Sequence, residues 1–408
     1  MLTISRPLYM DVKSVYTMTA AELRRAFRKA SQDRASSSKY WDALLYRTSV
    51  VKSDLSLGDA SAILDSLSRF PRYSSPLFLK YLLDPVPSKG RSALDAAMVL
   101  RKSQEMNVRT PDLEAQLSSI IVEKVTNSMR TDDLAKVARA LARCNVVTVS
   151  MKQRIESLIA NIDVDKVREP RTMLSFLNFL IVKPTTDKNT VHEDNEPFFS
   201  TTNQQDCTYE ISRELTSKVF AKALSMNSSF NSKDVVDFAI CVEKIVKDGY
   251  MHDLGHPIPG PIYKVISRQV DRQVKMLKPD ELVKLITLDV DIDRSKLESE
   301  CQYRIRDMKC KNCVELVTCG KFDPKKIPSL LARLHKFDAC TSLSVQDVIQ
   351  IGRVIANDPS EIGISLMKTL LPITKKASGA DAEQVAEIYK SLEIVSHPPP
   401  QKRREFHS

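Results

Sequence analysis

Glycine and aromatic residues are scarce in this sequence. Only 9 of its 408 residues are glycine, and phenylalanine, tyrosine and tryptophan together make up 6% of the chain. Strand-rich sandwiches and barrels need glycine at their turns and aromatic side chains on their pleated faces, and α/β nucleotide-binding folds need glycine where the backbone meets phosphate. The composition therefore favours helices and argues against both of those classes.

Long hydrophobic runs are also missing. One of the longest, Phe176 to Val182, is interrupted by Asn178 and falls far short of the roughly 18 to 20 residues that cross a bilayer. Eight cysteines in a chain of this length are too few for a disulfide scaffold, which indicates a reducing compartment. We therefore expect a soluble protein without a membrane span.

One local pattern recurs along the chain. Each copy begins with a polar capping position, has an acid shortly after it in most cases, and continues with apolar residues at helical spacing. All but two of the separations between starts lie between 33 and 39 residues. The copies begin at Thr19, Ser56, Ser92, Thr131, Glu169, Ser232, Lys278, Lys311, Ser344 and Ser378.

A second amphipathic stretch lies between successive starts. Residues 111–126, for example, open with a proline and continue with Leu113, Leu117 and Ile120 at helical spacing. Each unit is therefore predicted to be a helical hairpin, which must stack on its neighbours to bury its apolar face. We predict an all-α fold, a right-handed α-solenoid of about ten hairpin repeats of roughly 33–39 residues. An irregular all-α bundle is the alternative.

Breaks in the repeat pattern suggest the domain organisation. Residues 185–210 hold six acids and one lysine and lack a helical apolar pattern, as expected for a disordered acidic insert. We predict an N-terminal extension at 1–18, N-terminal helical repeats at 19–184, this insert, C-terminal helical repeats at 211–395 and a flexible basic tail at 396–408. The extension is basic and rich in hydroxyl residues, with Asp11 as its one acid, a weak form of an organellar transit segment.

Two repeat segments carry a family resemblance. The sequences LAKVARALARCN at 134–145 and ASAILDSLSRF at 60–70 resemble the first helices of octotricopeptide and heptatricopeptide repeats and of the related helical region in FAST-kinase-like proteins. The resemblance implies a mitochondrial or plastid protein that binds single-stranded RNA or ribosomal RNA and acts in RNA processing, stability, translation or ribosome assembly. The RAP domain that often ends such proteins is not evident, because residues 378–395 keep the repeat pattern. We expect a mitochondrial location, with the cytoplasm as the alternative.

Clusters of basic residues are the candidates for contact with RNA phosphates, and the formal net charge of +10 agrees with such a partner. Charged side chains also cover the solvent face of any soluble helix. The early clusters fall on first helices of the hairpins and the later ones largely on second helices, so a continuous groove does not follow. The predicted RNA-binding residues are Arg24, Arg25, Arg28, Lys29, Lys136, Arg139, Arg143, Lys264, Arg268, Arg272, Lys275, Arg304 and Arg306.

Signatures of catalysis and of metal binding are weak. Gly255 and Gly260 have the spacing of a phosphate loop, but Pro261 follows where lysine is required. His252, Asp253 and His256 lie in the same Gly/Pro-rich loop, which we interpret as a surface turn. The sequence shows no serine-hydrolase elbow, zinc-protease or kinase signature.

Four cysteines lie close together in the sequence, and one C-x-x-C pair among them has a spacing that suits zinc. They are Cys301, Cys310, Cys313 and Cys319. Because they lie in an apolar helical pattern, we expect buried small side chains. We predict no enzyme, no metal, no cofactor and no small-molecule substrate. The alternative to RNA binding is a protein-binding scaffold, such as a subunit of a mitochondrial ribosome or respiratory complex.

Overall fold

Helices make up all the regular structure in the described part of the chain. The computed structural model describes residues 12–33, 35, 37–70, 73, 75–185, 202–249, 260–336 and 343–394. Within these residues there is no β-strand, and Ser56 and Lys89 form an isolated bridge. The predicted all-α class is confirmed. No helix in these ranges is both long enough and apolar enough to cross a bilayer.

The helices of the first half are α1 (Val12–Val15), α2 (Ala20–Gln32), α3 (Ser38–Val50), α4 (Leu57–Ser68), α5 (Pro76–Leu83), α6 (Ala93–Glu105), α7 (Pro111–Lys124), α8 (Thr131–Leu141), α9 (Val149–Ala160), α10 (Pro170–Leu180) and α11 (Thr202–Ser225). Those of the second half are α12 (Ser232–Lys247), α13 (Gly260–Gln273), α14 (Pro279–Thr287), α15 (Ser295–Tyr303), α16 (Cys310–Thr318), α17 (Ile327–His335), α18 (Val345–Asn357), α19 (Glu361–Thr374) and α20 (Ala380–Ser391).

Several predicted segments lie partly or wholly outside the described residues. Helix α1 falls within the predicted extension at 1–18, of which residues 1–11 are not described. Helix α11 begins at Thr202, within the predicted insert at 185–210, whose residues 186–201 are not described. The loop that contains His252, Asp253, Gly255 and His256 and the predicted tail at 396–408 are outside the described residues.

Reciprocal caps begin several helices. Thr19 accepts a hydrogen bond from the backbone amide of Glu22, and the Glu22 carboxylate accepts from the backbone amide and hydroxyl of Thr19. Such a cap contributes about 1 kcal/mol, because it satisfies amides that have no partner in the first turn. The same arrangement stands at Ser56/Asp59, Asn231/Asp234 and Ser344/Asp347.

The chain divides into two compact units, Met1–Ser225 and Met226–Ser408. In the first unit, α2, α4, α6, α8, α10 and α11 pack each on the next, α1 packs on α3, and α7 packs on α9. Helices α2, α4 and α6 also pack on the helices that directly follow them. We call α2, α4, α6, α8 and α10 the first helices of the hairpins and α3, α5, α7 and α9 the second helices.

The second unit repeats this pattern of contacts. Its first helices, α12, α14, α16, α18 and α20, pack each on the next. Its second helices, α13, α15, α17 and α19, each pack on the first helix before them, and α17 also packs on α19.

Arginine side chains bind main-chain carbonyls about one hairpin away. In each case the accepting carbonyl lies in the turn that ends the preceding helix of the same layer, where carbonyls have no intrahelical partner. We call these contacts arginine bridges. They run from Arg47 to Met18 (2.8 Å), from Arg154 to Val125 (2.9 Å), from Arg304 to Leu277 (2.7 Å) and from Arg333 to Arg306 (2.6 Å).

The one tryptophan belongs to the core of the first unit. Trp41 is fully buried, its ring stacks on Tyr73 with centroids 5.1 Å apart, and Phe27 meets it edge-on at 5.9 Å. Its indole N–H donates to the carbonyl of Ala35 at 2.9 Å. Trp41 is therefore a packing residue and does not present a face on which a nucleic-acid base would stack.

Candidate nucleic-acid interface

A row of basic side chains lies on α13 in the second unit. Lys264, Arg268 and Arg272 are exposed and four residues apart, so they share one helix face. Lys275 is also exposed and follows in the 3-10 turn after α13. The row extends over about 16 Å at the helical rise of roughly 1.5 Å per residue. In the described part of the chain, none of the four side chains forms an ion pair with an acid.

Arg304 connects a second helix to the end of this row. Its guanidinium donates to the main-chain carbonyls of Leu277, at 2.7 Å, and of Lys275, and its Nε lies 2.5 Å from a Glu300 carboxylate oxygen. The turn at the end of α15 is therefore held against the turn at the end of α13. Arg304 itself serves this packing and is not free to bind phosphate.

An exposed tyrosine stands at this junction. Tyr303 is 85% exposed, more than any other large hydrophobic side chain in the described residues, and Met276 is 75% exposed. Among those residues, the Tyr303 ring has no aromatic or cationic neighbour. Arg306 is exposed in the same turn and forms no ion pair there. We use the name basic edge for Lys264, Arg268, Arg272, Lys275, Tyr303 and Arg306.

Two of the predicted basic residues of the first unit connect neighbouring helices. The Arg24 guanidinium lies 3.1 Å from the Asp59 carboxylate and connects α2 to α4. Arg139 donates to the Ser175 hydroxyl at 2.9 and 2.6 Å and connects α8 to α10. These contacts hold successive first helices together and leave the two guanidinium groups unavailable for RNA.

The remaining predicted residues of the first unit are on its surface. The Lys136 ammonium lies 2.8 Å from the Asp133 carboxylate, whose pKa is lowered by hydrogen bonds from Lys136 and Arg130. The others lie on two helices, α2 and the end of α8, that are not adjacent in the packing. They are exposed and are Arg25, Arg28, Lys29 and Arg143.

Three of the four clustered cysteines are buried, and Cys319 is partly exposed. Cys301, Cys310 and Cys313 lie in the core, and loss of solvation raises the pKa of Cys301 and of Cys313 to about 12. Zinc binds the thiolate form, which this burial disfavours. In the described ranges, no group of three or more His, Cys, Asp or Glu residues is arranged to hold a metal ion.

A cleft of about 670 Å³ lies in the first unit, between the turn after α7 and the turn after α9. Its charged lining residues have both signs: Asp132, Asp163 and Glu169 are acidic, and Lys166 and Arg168 are basic. Lys166 is paired with Asp163 at 2.9 Å. The cleft therefore lacks the positive field that an RNA backbone requires.

No protein-family model matches the chain, and no curated protein matches it. What the protein binds must therefore be inferred from its own side chains. Of the predicted residues, Lys264, Arg268, Arg272 and Lys275 share one row, and Arg304 connects the turn that contains Lys275 to the turn that contains Arg306. Sequence analysis missed Tyr303, although its position directly before Arg304, in the run Tyr-Arg-Ile-Arg, is a readable signal for an aromatic among cations.

Proposed function

We propose that this protein is a non-catalytic, RNA-binding α-solenoid that contacts single-stranded RNA through the basic edge. The observation that carries the proposal is a row of four exposed cations without ion pairs, whose end Arg304 connects to the turn that holds Arg306 and the exposed Tyr303. Contacts with phosphate supply most of the affinity of nucleic-acid-binding proteins. Stacking on an aromatic side chain adds about 1–3 kcal/mol per base and requires an unpaired base.

The solenoid architecture is part of this proposal. In its support, first helices pack each on the next within both units, and side-chain bonds connect consecutive hairpins. Contacts that reach only adjacent repeats are typical of solenoids. A right-handed array of about ten hairpins agrees with the sequence period of roughly 36 residues.

The cellular setting is proposed from the family resemblance. Like the octotricopeptide and heptatricopeptide repeat proteins that it resembles, the protein would act in mitochondria, in RNA processing, stability, translation or ribosome assembly. Imaging of the full chain with a C-terminal fluorescent tag tests the location. A purely cytoplasmic signal would refute the mitochondrial setting and leave the basic edge to be judged by RNA binding alone.

RNA binding is tested by the salt dependence of affinity. Fluorescence anisotropy of a labelled single-stranded RNA of roughly 20 nucleotides is measured with the full chain between about 50 and 200 mM salt. We expect the double variant Arg268→Gln, Arg272→Gln to bind more weakly and to lower the slope of log affinity against log salt by about 1.4, since each phosphate contact contributes about 0.7.

A matched control removes the same charge elsewhere in the second unit. Lys368 and Lys390 are exposed on α19 and α20, and Lys368→Gln, Lys390→Gln should leave affinity and slope near those of the wild type. Equal weakening by both double variants would indicate a general charge effect. Absence of RNA binding would reject the proposal and leave the protein-binding scaffold as the function to pursue.

A further inference from the structure

A second exposed surface lies on the first unit. Of the nine exposed large hydrophobic side chains in the described residues, five lie within the first 81 residues and are between 47% and 81% exposed. Exposed apolar clusters of this kind are typical of interaction sites. The five form what we call the aromatic patch: Tyr16, Tyr46, Val50, Leu77 and Tyr81.

Contacts between neighbouring helices make the patch continuous. The rings of Tyr16, after α1, and Tyr46, on α3, have centroids 5.9 Å apart. The Tyr81 hydroxyl, on α5, donates to the Ser49 carbonyl at 3.4 Å, next to Val50. Tyr46 and Val50 are four residues apart, as are Leu77 and Tyr81, so α3 and α5 each present an apolar ridge.

Two of the three cations beside the patch tyrosines are already engaged, unlike those of the basic edge. The Arg47 guanidinium forms an arginine bridge to Met18. The Lys52 ammonium donates to the Asp84 carbonyl at 2.6 Å and lies 4.1 Å from the centroid of the Tyr81 ring. Because RNA affinity depends on free cations and on open ring faces, this surface favours a protein partner over RNA.

We propose that the aromatic patch binds an amphipathic helix of a partner protein whose polar face is acidic. The two ridges suit a helix that presents apolar anchors three or four residues apart. Residues 12–18, 38–54 and 76–84 carry five basic and three acidic side chains, and Lys80, next to Tyr81, is exposed and forms no ion pair among the described residues. The patch shares no residue with the basic edge, and the inference does not depend on RNA binding.

The test uses a synthetic peptide as a probe. The peptide is a labelled helix of about 18 residues with leucine at one face and glutamate elsewhere, titrated with the full chain. We expect it to bind, and we expect Tyr46→Ser and Leu77→Ser each to weaken binding by about tenfold, as for interface anchors. Both side chains are exposed, so the variants should fold, which circular dichroism checks.

Two controls distinguish specific binding at the aromatic patch from nonspecific hydrophobic or electrostatic binding. Ile362→Ser removes an exposed apolar side chain of α19 in the second unit and should leave peptide affinity unchanged. A scrambled peptide of the same composition and a version with lysine in place of glutamate should bind at least about tenfold more weakly.

Other occupants give different results. Failure of the acidic peptide to bind, or equal binding to wild type and both patch variants, would overturn the inference. Crosslinking from a photoreactive residue at position 77 to RNA or to a second copy of the chain, in native cells, would overturn the inference in favour of that occupant.

Competition with RNA is a further test. Saturating RNA should leave peptide binding unchanged. Displacement of the peptide by RNA, in both the wild type and the Arg268→Gln, Arg272→Gln variant, would place RNA on the patch instead.

Discussion

Lys152 is a buried lysine whose ammonium group has several partners in the fold. The Lys152 ammonium, on α9, donates to the carbonyls of Phe179 and Leu180 at 2.8 and 2.7 Å and lies 3.0 Å from the Glu156 carboxylate. The two carbonyls are at the end of α10, where a cation is favourable. Burial lowers the pKa of Lys152, and Glu156 opposes that shift.

We expect Lys152→Met to destabilise the protein by about 3–5 kcal/mol, because it removes the buried cation that the Phe179 and Leu180 carbonyls and the Glu156 carboxylate bind. Urea unfolding followed by circular dichroism measures the loss. The matched variant Lys124→Met removes an exposed lysine paired with Glu123 and should cost less than about 0.5 kcal/mol. Equal losses in the two variants would show that the Lys152 contacts do not stabilise the fold.

Tyr303 gives a prediction about RNA. Tyr303→Ala should weaken binding of single-stranded RNA by about 5- to 100-fold, as expected for the loss of one stacked base, and should leave the salt slope unchanged. Tyr303→Phe keeps the ring and should bind like the wild type. Anisotropy titrations with single-stranded and duplex RNA measure both. Equal loss for duplex RNA would contradict stacking, because paired bases are not available to the ring.

At the scale of elements, Asp289 joins the ends of three first helices. Lys247, on α12, lies 2.8 Å from the Asp289 carboxylate, and Lys321, after α16, also binds it. The backbone amide of Asp289, just after α14, donates to Glu243 at 2.6 Å. Hydrogen bonds from Lys247 and then Lys321 lower the pKa of Asp289 to about 2.

This lowered pKa predicts a pH dependence. In the unfolded chain the Asp289 carboxyl has an ordinary pKa near 3.8, so its stabilising effect is fully present above pH 4 and is lost as pH falls towards 2. Asp289→Asn should therefore be less stable than the wild type at pH 6, and the difference should shrink between about pH 4 and 2. Thermal unfolding across this range measures it; a constant difference would rule out ionisation as its source.

Several helix starts could be predicted from the sequence, because a capping residue and the amides that it binds lie within four positions of one another. The starts predicted at Thr19, Ser56 and Ser344 are the observed capping residues. The start of α16 differs from the prediction: the helix begins at Cys310 instead of after Lys311, and its cap makes no side-chain bond.

The sequence did not predict which basic side chains are engaged in packing, because their partners lie on a neighbouring hairpin. Arg268 and Arg304 both lie on second helices and look alike in the sequence. The stacking of hairpins brings carbonyls of the preceding turn within reach of Arg304, whereas in the described part of the chain Arg268 binds no carbonyl. Arg139 is similar, since Ser175 lies 36 positions away and meets it only after packing.

At the scale of the whole molecule, contacts between adjacent hairpins predict local consequences of mutation. Arg154→Met removes the arginine bridge between α9 and the end of α7. Hydrogen exchange followed by mass spectrometry should show faster exchange in α7 and α9 and no change across Met226–Ser408, because stability in such arrays is a sum of neighbour terms. Arg25→Met, on an exposed position of α2, is the control. Faster exchange throughout both units would mean that the chain unfolds as one cooperative body.

Side-chain bonds between neighbouring hairpins have a consequence for insertions and deletions in the gene. Lys102 on α6 reaches back to Ser68 on α4, and Arg139 on α8 reaches forward to Ser175 on α10, so bonds that span 34 and 36 positions connect neighbouring first helices at two junctions of the first unit. An in-frame duplication or loss of roughly 36 codons would therefore bring first helices together at the spacing that these bonds already span. We therefore expect changes in the length of this chain to be tolerated best when they add or remove a whole pair of helices.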